Sequence, residues 1–105
     1  AQTAPVAVSS SGGTLTANMT ESNVFTSTLT ENVATLTLTG PAQGQTVNML
    51  FTQDATGSRT MAWPAAFKWP GGTAETLSTN SNAVDLLVIT YLGTSWYASM
   101  LKDLS

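Results

Sequence analysis

The stretch that decides the fold runs from residue 53 to residue 73 and reads QDATGSRTMAWPAAFKWPGGT. It holds two of the three tryptophans, Trp63 and Trp69, and each is followed by a proline, which interrupts strand pairing. Segment 54–57 begins with Asp and ends with Gly, which fits a type I turn opening a hairpin with residues 59–63 as its return strand. We therefore predict a hairpin tip, followed by a crossover that the two tryptophans anchor on the sheet.

Outside this stretch, apolar and polar residues alternate along most of the chain, as they do in half-buried β-strands. The alternating segments are residues 14–20, 23–29, 33–39, 46–53 and 96–101. Residues 84–92 are apolar on both faces, so we expect a central strand that is covered on both sides. About seven or eight short strands without a convincing helix predict an all-β fold. We expect an antiparallel, jelly-roll-like β-sandwich, with a small β-barrel as the alternative.

The length of the chain indicates a single domain with a short extension before it. Residues 1–13 contain Pro5 and a Ser-Ser-Ser-Gly-Gly run, which favours an extended N-terminal arm, and residues 14–105 form the β domain. The arm is either a disordered tail or a segment that orders on a neighbouring subunit through Val6 and Val8. The first residues lack the basic and apolar regions of an intact signal peptide, so a trimmed initiator methionine is a simpler expectation than a cleaved leader.

Charge is scarce, at 9% of the residues with a net charge of −3. The three basic residues, Arg59, Lys68 and Lys102, are too few and too scattered to form the patch that nucleic acid or anionic lipid requires. No run of about 18 apolar residues is present to span a membrane. We therefore predict no nucleic-acid binding and no membrane insertion. Nineteen Thr, eleven Ser and six Asn replace the missing charges and suit β structure.

The chain has no cysteine and no histidine, which excludes disulfides, thiolate metal sites and imidazole catalysis. Its six acidic residues are dispersed, and no segment has the closely spaced oxygen ligands of a calcium loop. We therefore predict that the protein is not an enzyme and uses no metal or cofactor. Asp85 precedes an apolar run and is expected to be partly buried, where a carboxylate needs a partner, and we expect Arg59 to be that partner.

The aromatic residues have two candidate roles. We expect Trp63, Trp69 and Trp96 to pack in the core or at a subunit interface, where each buries roughly 150–250 Å². The alternative is a glycan platform, in which exposed rings stack on sugars beside polar side chains. Its candidates are the same tryptophans with Tyr91, Tyr97, Asn80 and Asn82.

Self-association is a further expectation from the composition. Exposed strand edges are commonly protected by lysine or proline, which discourage pairing with another chain. Lysine is nearly absent here. We therefore expect another subunit to cover the edges of the sheet.

Several motifs resemble a small β domain that is common in the virion proteins of tailed bacteriophages. They are FTQDATGSRTMAWP (residues 51–64), KWPGGTA (residues 68–74), Leu77-Ser78, Asp85 and Trp96-Tyr97-Ala98. The strong resemblance covers about residues 53–98, and the alternating strand at 35–39 also fits. One departure is Glu75-Thr76, because a proline commonly follows the alanine in these domains, and it is expected to alter one loop.

The resemblance implies a non-enzymatic structural protein on the surface of a virion. The short chain favours a capsid decoration or head-fibre protein that oligomerises, as a homotrimer because phage fibres and head decorations are commonly three-fold. Its other partners would be virion proteins such as the major capsid protein. The alternative is a receptor- or glycan-binding module of a tail fibre, whose partner would be a host-surface glycan.

Overall fold

The computed structural model describes residues 4–104, which form eight strands and one short 3-10 turn. In chain order these are β1 (Val6–Ala7), β2 (Thr14–Asn18), β3 (Val24–Leu29), β4 (Thr35–Thr39), β5 (Thr46–Gln53), β6 (Phe67–Lys68), the 3-10 turn (Pro70–Gly72), β7 (Val84–Leu92) and β8 (Ser95–Leu101). The all-β prediction is confirmed. Across residues 4–104 no helix is long and apolar enough to cross a membrane.

The strands form a six-stranded sheet in the order β1-β3-β5-β7-β8-β6 and a two-stranded sheet of β2 and β4. Pairs β5–β7 and β7–β8 are antiparallel, whereas β1–β3, β3–β5, β6–β8 and β2–β4 are parallel. The pairing is therefore mixed, and the predicted purely antiparallel pairing is corrected. From β2 to β5 the chain alternates between the two sheets, with β2 and β4 in the small sheet and β3 and β5 in the large one. Strands β2 and β4 therefore run in the same direction, and so do β3 and β5.

The two sheets enclose one apolar core, as expected of a sandwich. In β5 the odd-numbered residues from Val47 to Gln53 are buried, and the alternation continues in β3 and β7. The small sheet contributes Leu15, Ala17 and Leu36 from the opposite side. Burial of side chains from both layers is what keeps a two-layer β fold together.

Strand β7 lies between β5 and β8, so its predicted central position is correct. Its predicted coverage on both sides is wrong within the single chain. Asp85, Leu87 and Ile89 face the core and are buried, but Leu86 and Val88 point the other way and are only partly buried. We call this second side of the six-stranded sheet, which points away from β2 and β4, the outer face.

The predicted turn at residues 54–57 is present, but the predicted hairpin is not. Gly57 N donates to Asp54 O at 3.2 Å and to Asp54 Oδ1 at 3.0 Å. Residues 59–63 form no return strand, and only a bridge between Met61 and Val33 remains. The reason is that β5 already has β3 on one edge and β7 on the other, so neither edge is free for a hairpin partner.

The predicted N-terminal arm lies on the protein's own sheet from Ala4 onward. Val6–Ala7 pairs in parallel with β3, and Ser22 Oγ donates to Ala4 O at 2.7 Å. Val6 and Val8 pack against the core of their own chain. In one of the two alternatives predicted from the sequence, they would instead dock on a neighbouring subunit. The beginning of the arm, residues 1–3, lies outside the described residues, and the division into an arm (residues 1–13) and a domain (residues 14–105) stays a prediction.

Candidate functional site

Trp63 and Trp69 anchor the segment that follows the 54–57 turn, and they hold it against the sheet. Trp63 lies 5.8 Å from Phe67 and 5.3 Å from Trp69 between ring centroids, and 6.1 Å from Phe51 of β5. Trp63 Nε1 donates to Glu75 O at 2.7 Å. Because their rings pack on one another, Trp63 and Trp69 act mainly as anchors of this segment.

The third tryptophan is removed from solvent. Trp96 is only 4% exposed, and its ring packs on Tyr91 with centroids 4.9 Å apart. The pair forms the floor of an open groove of about 360 Å³, whose walls are Leu36, Leu38, Pro41, Pro64 and Ala66. Trp96 therefore cannot offer an exposed face to a sugar, although the groove beside it is open.

Arg59 and Asp85 do not form the predicted ion pair. Arg59 binds Asp54 instead, through Nη2 to Oδ2 at 2.9 Å and Nε to Oδ1 at 3.4 Å. This hydrogen bond holds the pKa of the Asp54 carboxyl below its usual value. The turn at 54–57 folds the chain back on itself, which brings Arg59 to the near carboxylate rather than to the distant one.

Asp85 finds its partners in the backbone. Its side chain is 2% exposed, and its two oxygens accept hydrogen bonds from Ser78 N at 2.6 Å and Asp103 N at 2.8 Å. Two backbone donors satisfy a buried carboxylate in place of a cation. Asp85 therefore ties the start of β7 to the preceding loop and to the C-terminal segment.

Gln53 has a comparable role that the sequence analysis missed. It is 2% exposed, its Nε2 donates to Arg59 O at 2.8 Å and Ser78 O at 2.9 Å, and its Oε1 accepts from Arg59 N at 3.0 Å. The position of Gln53 in the sequence could have indicated this role, because Gln53 continues the series of inward-facing residues of β5. A polar residue at an inward position requires specific partners.

The residues of the predicted glycan platform are not brought together. Asn80 and Asn82 lie in the loop before β7, where Asn82 N donates to Asp54 O. Tyr91 lies nine residues after Asn82, and the part of β7 from Val84 to Tyr91 alone spans roughly 24 Å at the rise of a strand. Tyr91 faces the core side, whereas Tyr97 pairs with Thr90 and points to the outer face.

Tyr97 instead belongs to an open recess of about 460 Å³ at the β6 edge of the sheet. Lys68 of β6 is the direct register partner of Tyr97, so both side chains point to the outer face. Ser99 follows two residues later on the same side, and Trp69 and Pro70 complete the wall. Tyr97 is 53% exposed. We call this site the Tyr97 recess.

Lys68 differs from the other two cations in its surroundings. Arg59 is bound to Asp54, and Lys102 Nζ lies 3.9 Å from Glu75 Oε1. In the part of the chain that the structure describes, no carboxylate lies within 4.0 Å of Lys68. Its ammonium can therefore bond to a ligand without first breaking an ion pair.

The acidic groups of the described residues lie apart from one another. Within residues 4–104 no three acidic side chains are grouped closely enough to hold a metal ion. The buried carboxylate, Asp85, is held by backbone donors at the end of the molecule opposite to the Tyr97 recess. The Tyr97 recess offers an aromatic ring, hydroxyl groups and an ammonium group, which can contact a ligand.

The fold and this site together define an all-β domain with an exposed aromatic recess. A family model described as "Putative phage tail fibre C-terminal domain" matches residues 13–96, which is most of the chain. The chain belongs to this family and is therefore a domain of a bacteriophage virion protein. No curated protein and no solved structure matches it.

Proposed function

We propose that this chain is the host-facing domain of a phage tail fibre and that it binds a host-surface glycan in the Tyr97 recess, without catalysis. The observation that carries the proposal is the family match over residues 13–96, combined with an exposed aromatic ring beside Lys68, which has no carboxylate within 4.0 Å among residues 4–104. The structural character of the family supports a non-enzymatic role.

The chemistry of the recess suits a sugar. The ring of Tyr97 offers an apolar face to the C–H side of a pyranose, and its hydroxyl can bond to solvent or ligand. Tyrosine provides this contact at low entropic cost, since only two side-chain torsions must be fixed. Lys68 and Ser99 can donate to ligand oxygens from the same side of the sheet.

We propose the tail-fibre assignment in preference to the capsid decoration that the sequence favoured. Shortness of the chain was the argument for a decoration or head-fibre protein with the major capsid protein as partner. The family match supports the tail-fibre alternative instead. Gold-labelled antibodies against this chain should therefore mark the tail fibres of the virion, whereas label on the head would favour decoration.

Binding to an array of bacterial surface polysaccharides tests the glycan proposal. We expect Tyr97→Ala to weaken binding by about tenfold, which corresponds to about 1.4 kcal/mol. Lys68→Gln should weaken it less, because it removes one hydrogen bond and a partly solvated charge. Leu104→Ala is the matched control, since Leu104 is 46% exposed but lies beside Val84 at the far end of β7.

Two outcomes would contradict this proposal. If the Tyr97→Ala variant binds glycan as tightly as the wild type, the Tyr97 recess is not the glycan-binding site. Equal losses in Tyr97→Ala and Leu104→Ala would indicate a general loss of structure rather than a site, and the far-ultraviolet circular dichroism of both variants separates these cases.

A further inference from the structure

The side chains that line the Tyr97 recess donate hydrogen bonds, and within residues 4–104 none of them carries a carboxylate or an amide. Their polar groups are the ammonium of Lys68 and the hydroxyls of Tyr97 and Ser99. An ammonium only donates, whereas a hydroxyl donates one hydrogen bond and also accepts. A ligand in the recess therefore meets more side-chain donors than acceptors.

This lining fits an acidic sugar better than a neutral one. Each hydroxyl of a neutral sugar brings a hydrogen that needs an acceptor on the protein or in water. An ionised carboxylate or phosphate group brings acceptor oxygens alone, and its hydrogen bond to a cationic donor is shorter and stronger than a bond between neutral groups. The donors of the recess therefore match an anionic substituent on the sugar.

The other two cations of the chain do not offer the same contact. Arg59 lies 2.9 Å from Asp54, and Lys102 lies 3.9 Å from Glu75, so each already faces a carboxylate. None of the six acidic side chains lines the recess. Among residues 4–104, the ammonium of Lys68 is thus the cation that an acidic ligand reaches without displacing a carboxylate.

The net charge of the chain restricts where an acidic ligand binds. At −3, the chain as a whole repels an acidic polymer. Charges more than about 8 Å apart are largely screened at physiological ionic strength, so a nearby ammonium outweighs distant carboxylates. An acidic glycan is therefore directed to the recess and disfavoured on the rest of the surface.

The geometry allows one sugar residue to contact both the ring and the ammonium. Lys68 and Tyr97 are register partners on neighbouring strands, which lie about 4.8 Å apart. The flexible four-carbon stem of a lysine lets its ammonium reach a substituent of a sugar that lies on the tyrosine ring. Ser99 follows roughly 7 Å further along β8 on the same face, where its hydroxyl can bond to another part of the glycan.

We propose that the Tyr97 recess recognises an acidic sugar residue, with the sugar ring on Tyr97 and its carboxylate or phosphate group on Lys68. The inference rests on the proposed glycan function and adds the class of sugar to it. A carboxylate and a phosphate share the chemistry that the recess selects, an oxyanion that accepts hydrogen bonds, and the experiment separates them. A neutral glycan binds more weakly because it lacks the contact between the ammonium and the oxyanion.

Titration of the chain with two matched pairs of sugars, followed by amide chemical shifts, tests this inference. The first pair is a tetrasaccharide of galacturonic acid and its fully methyl-esterified form, which keeps the sugar rings and removes the charge. The second pair is galactose 6-phosphate and galactose. We expect an acidic probe to bind about fivefold more tightly than its neutral counterpart, with shifts centred on Lys68, Tyr97 and Ser99. The pair that shows this difference identifies the anionic group.

Two lysine substitutions separate the local contact from the net charge. Lys68→Gln should reduce the affinity for the acidic probe to that for its neutral counterpart, whereas Lys68→Arg should keep the preference. Lys102→Gln is the matched control, because it changes the net charge equally but removes a lysine that faces Glu75. The preference of this control for the acidic probe should equal that of the wild type.

Several results would overturn the inference. They are equal affinities within both pairs, no shift with either acidic probe up to about 10 mM, and a preference that survives Lys68→Gln or falls equally in Lys102→Gln. The glycan function itself would stand in these cases if Tyr97→Ala still weakens binding on the polysaccharide array. Array binding that does not depend on Tyr97 would contradict the proposed function instead, so the two failures are distinguishable.

Discussion

The two ends of β7 are built in different ways. At its start, Asp85 and the neighbouring Gln53 are 2% exposed and use their side-chain polar atoms on backbone partners from separate segments. At its other end, Tyr91 packs on Trp96 beside an open apolar groove. One strand thus joins a closed end held by hydrogen bonds to an open end formed by aromatic rings.

The difference separates stability from recognition. Buried hydrogen bonds to charged groups are costly to remove, so the closed end should contribute strongly to the free energy of unfolding. The open end has exposed surface and free space, and the Tyr97 recess lies at the same end of β7 on the opposite face of the sheet. Substitutions at the closed end should therefore affect folding, and those at the open end should affect binding.

Removal of the Asp85 carboxylate should have the largest effect. We expect Asp85→Ala to lower the free energy of unfolding by about 3 kcal/mol, since two buried backbone donors lose a charged acceptor. Thr94→Ala at the open end should change it by less than about 0.5 kcal/mol. Urea denaturation measures both values. A loss below about 1 kcal/mol in Asp85→Ala would show that water or rearrangement replaces the carboxylate, and the contrast between the ends would fail.

Two glycines with similar backbone angles provide a closer comparison. Gly57 at the closed end has φ +72°, and Gly93 at the open end has φ +66°. A Cβ on Gly57 would lie 2.7 Å from Thr79 O and 2.9 Å from Ser81 N, whereas a Cβ on Gly93 would meet nothing within 4 Å.

We therefore expect Gly93→Ala to cost about 1 kcal/mol for the left-handed conformation alone. Gly57→Ala should cost at least about 2 kcal/mol, because backbone must also move aside. Thermal unfolding can compare them, since 1 kcal/mol shifts the midpoint by roughly 4–8 °C in a domain of this size. Equal midpoints in the two variants would mean that the closed end yields as easily as the open one.

The sequence pattern was enough to predict the six longer strands, but it did not predict the two-residue strands β1 and β6. It could not predict strand direction, because direction depends on whether a connection stays in one sheet or crosses to the other. It also could not tell that 59–63 lacks a partner, since the edges of β5 are occupied by β3 and β7, which are distant in sequence.

The candidate site was predicted less well than the fold. Tyr97 was named, but its partner Lys68 becomes visible only when β6 and β8 are paired in register. The tryptophans looked equivalent in sequence, yet Trp96 is buried and Trp69 partly lines the recess. Arg59 was assigned to Asp85 because no local rule favours Asp54 until the turn is formed.

The smallest expected effect concerns pH and the ion pair at the closed end. Hydrogen bonding from Arg59 lowers the pKa of Asp54 below its ordinary value of 3.8. A lowered folded-state pKa contributes stability at pH values above 3.8, and this contribution is lost as the pH falls through the folded-state value. Both side chains remain partly exposed, at 25% for Arg59 and 21% for Asp54, so the contribution should be modest.

Arg59→Gln isolates this contribution. The variant should unfold at a slightly lower temperature than the wild type at neutral pH, and the difference should shrink in acid as Asp54 becomes protonated in both proteins. Glu31 also has a lowered pKa, chiefly through hydrogen bonds from Ser10 and from Gly13 N, and these bonds are present in both proteins. The effect of Glu31 protonation on stability should therefore be nearly the same in both proteins, and it should largely cancel when their unfolding midpoints are compared. A difference in midpoint that stays constant from neutral pH to acid would assign the effect of Arg59 to packing, and the closed end would then owe its stability to Gln53 and Asp85 rather than to its ion pair.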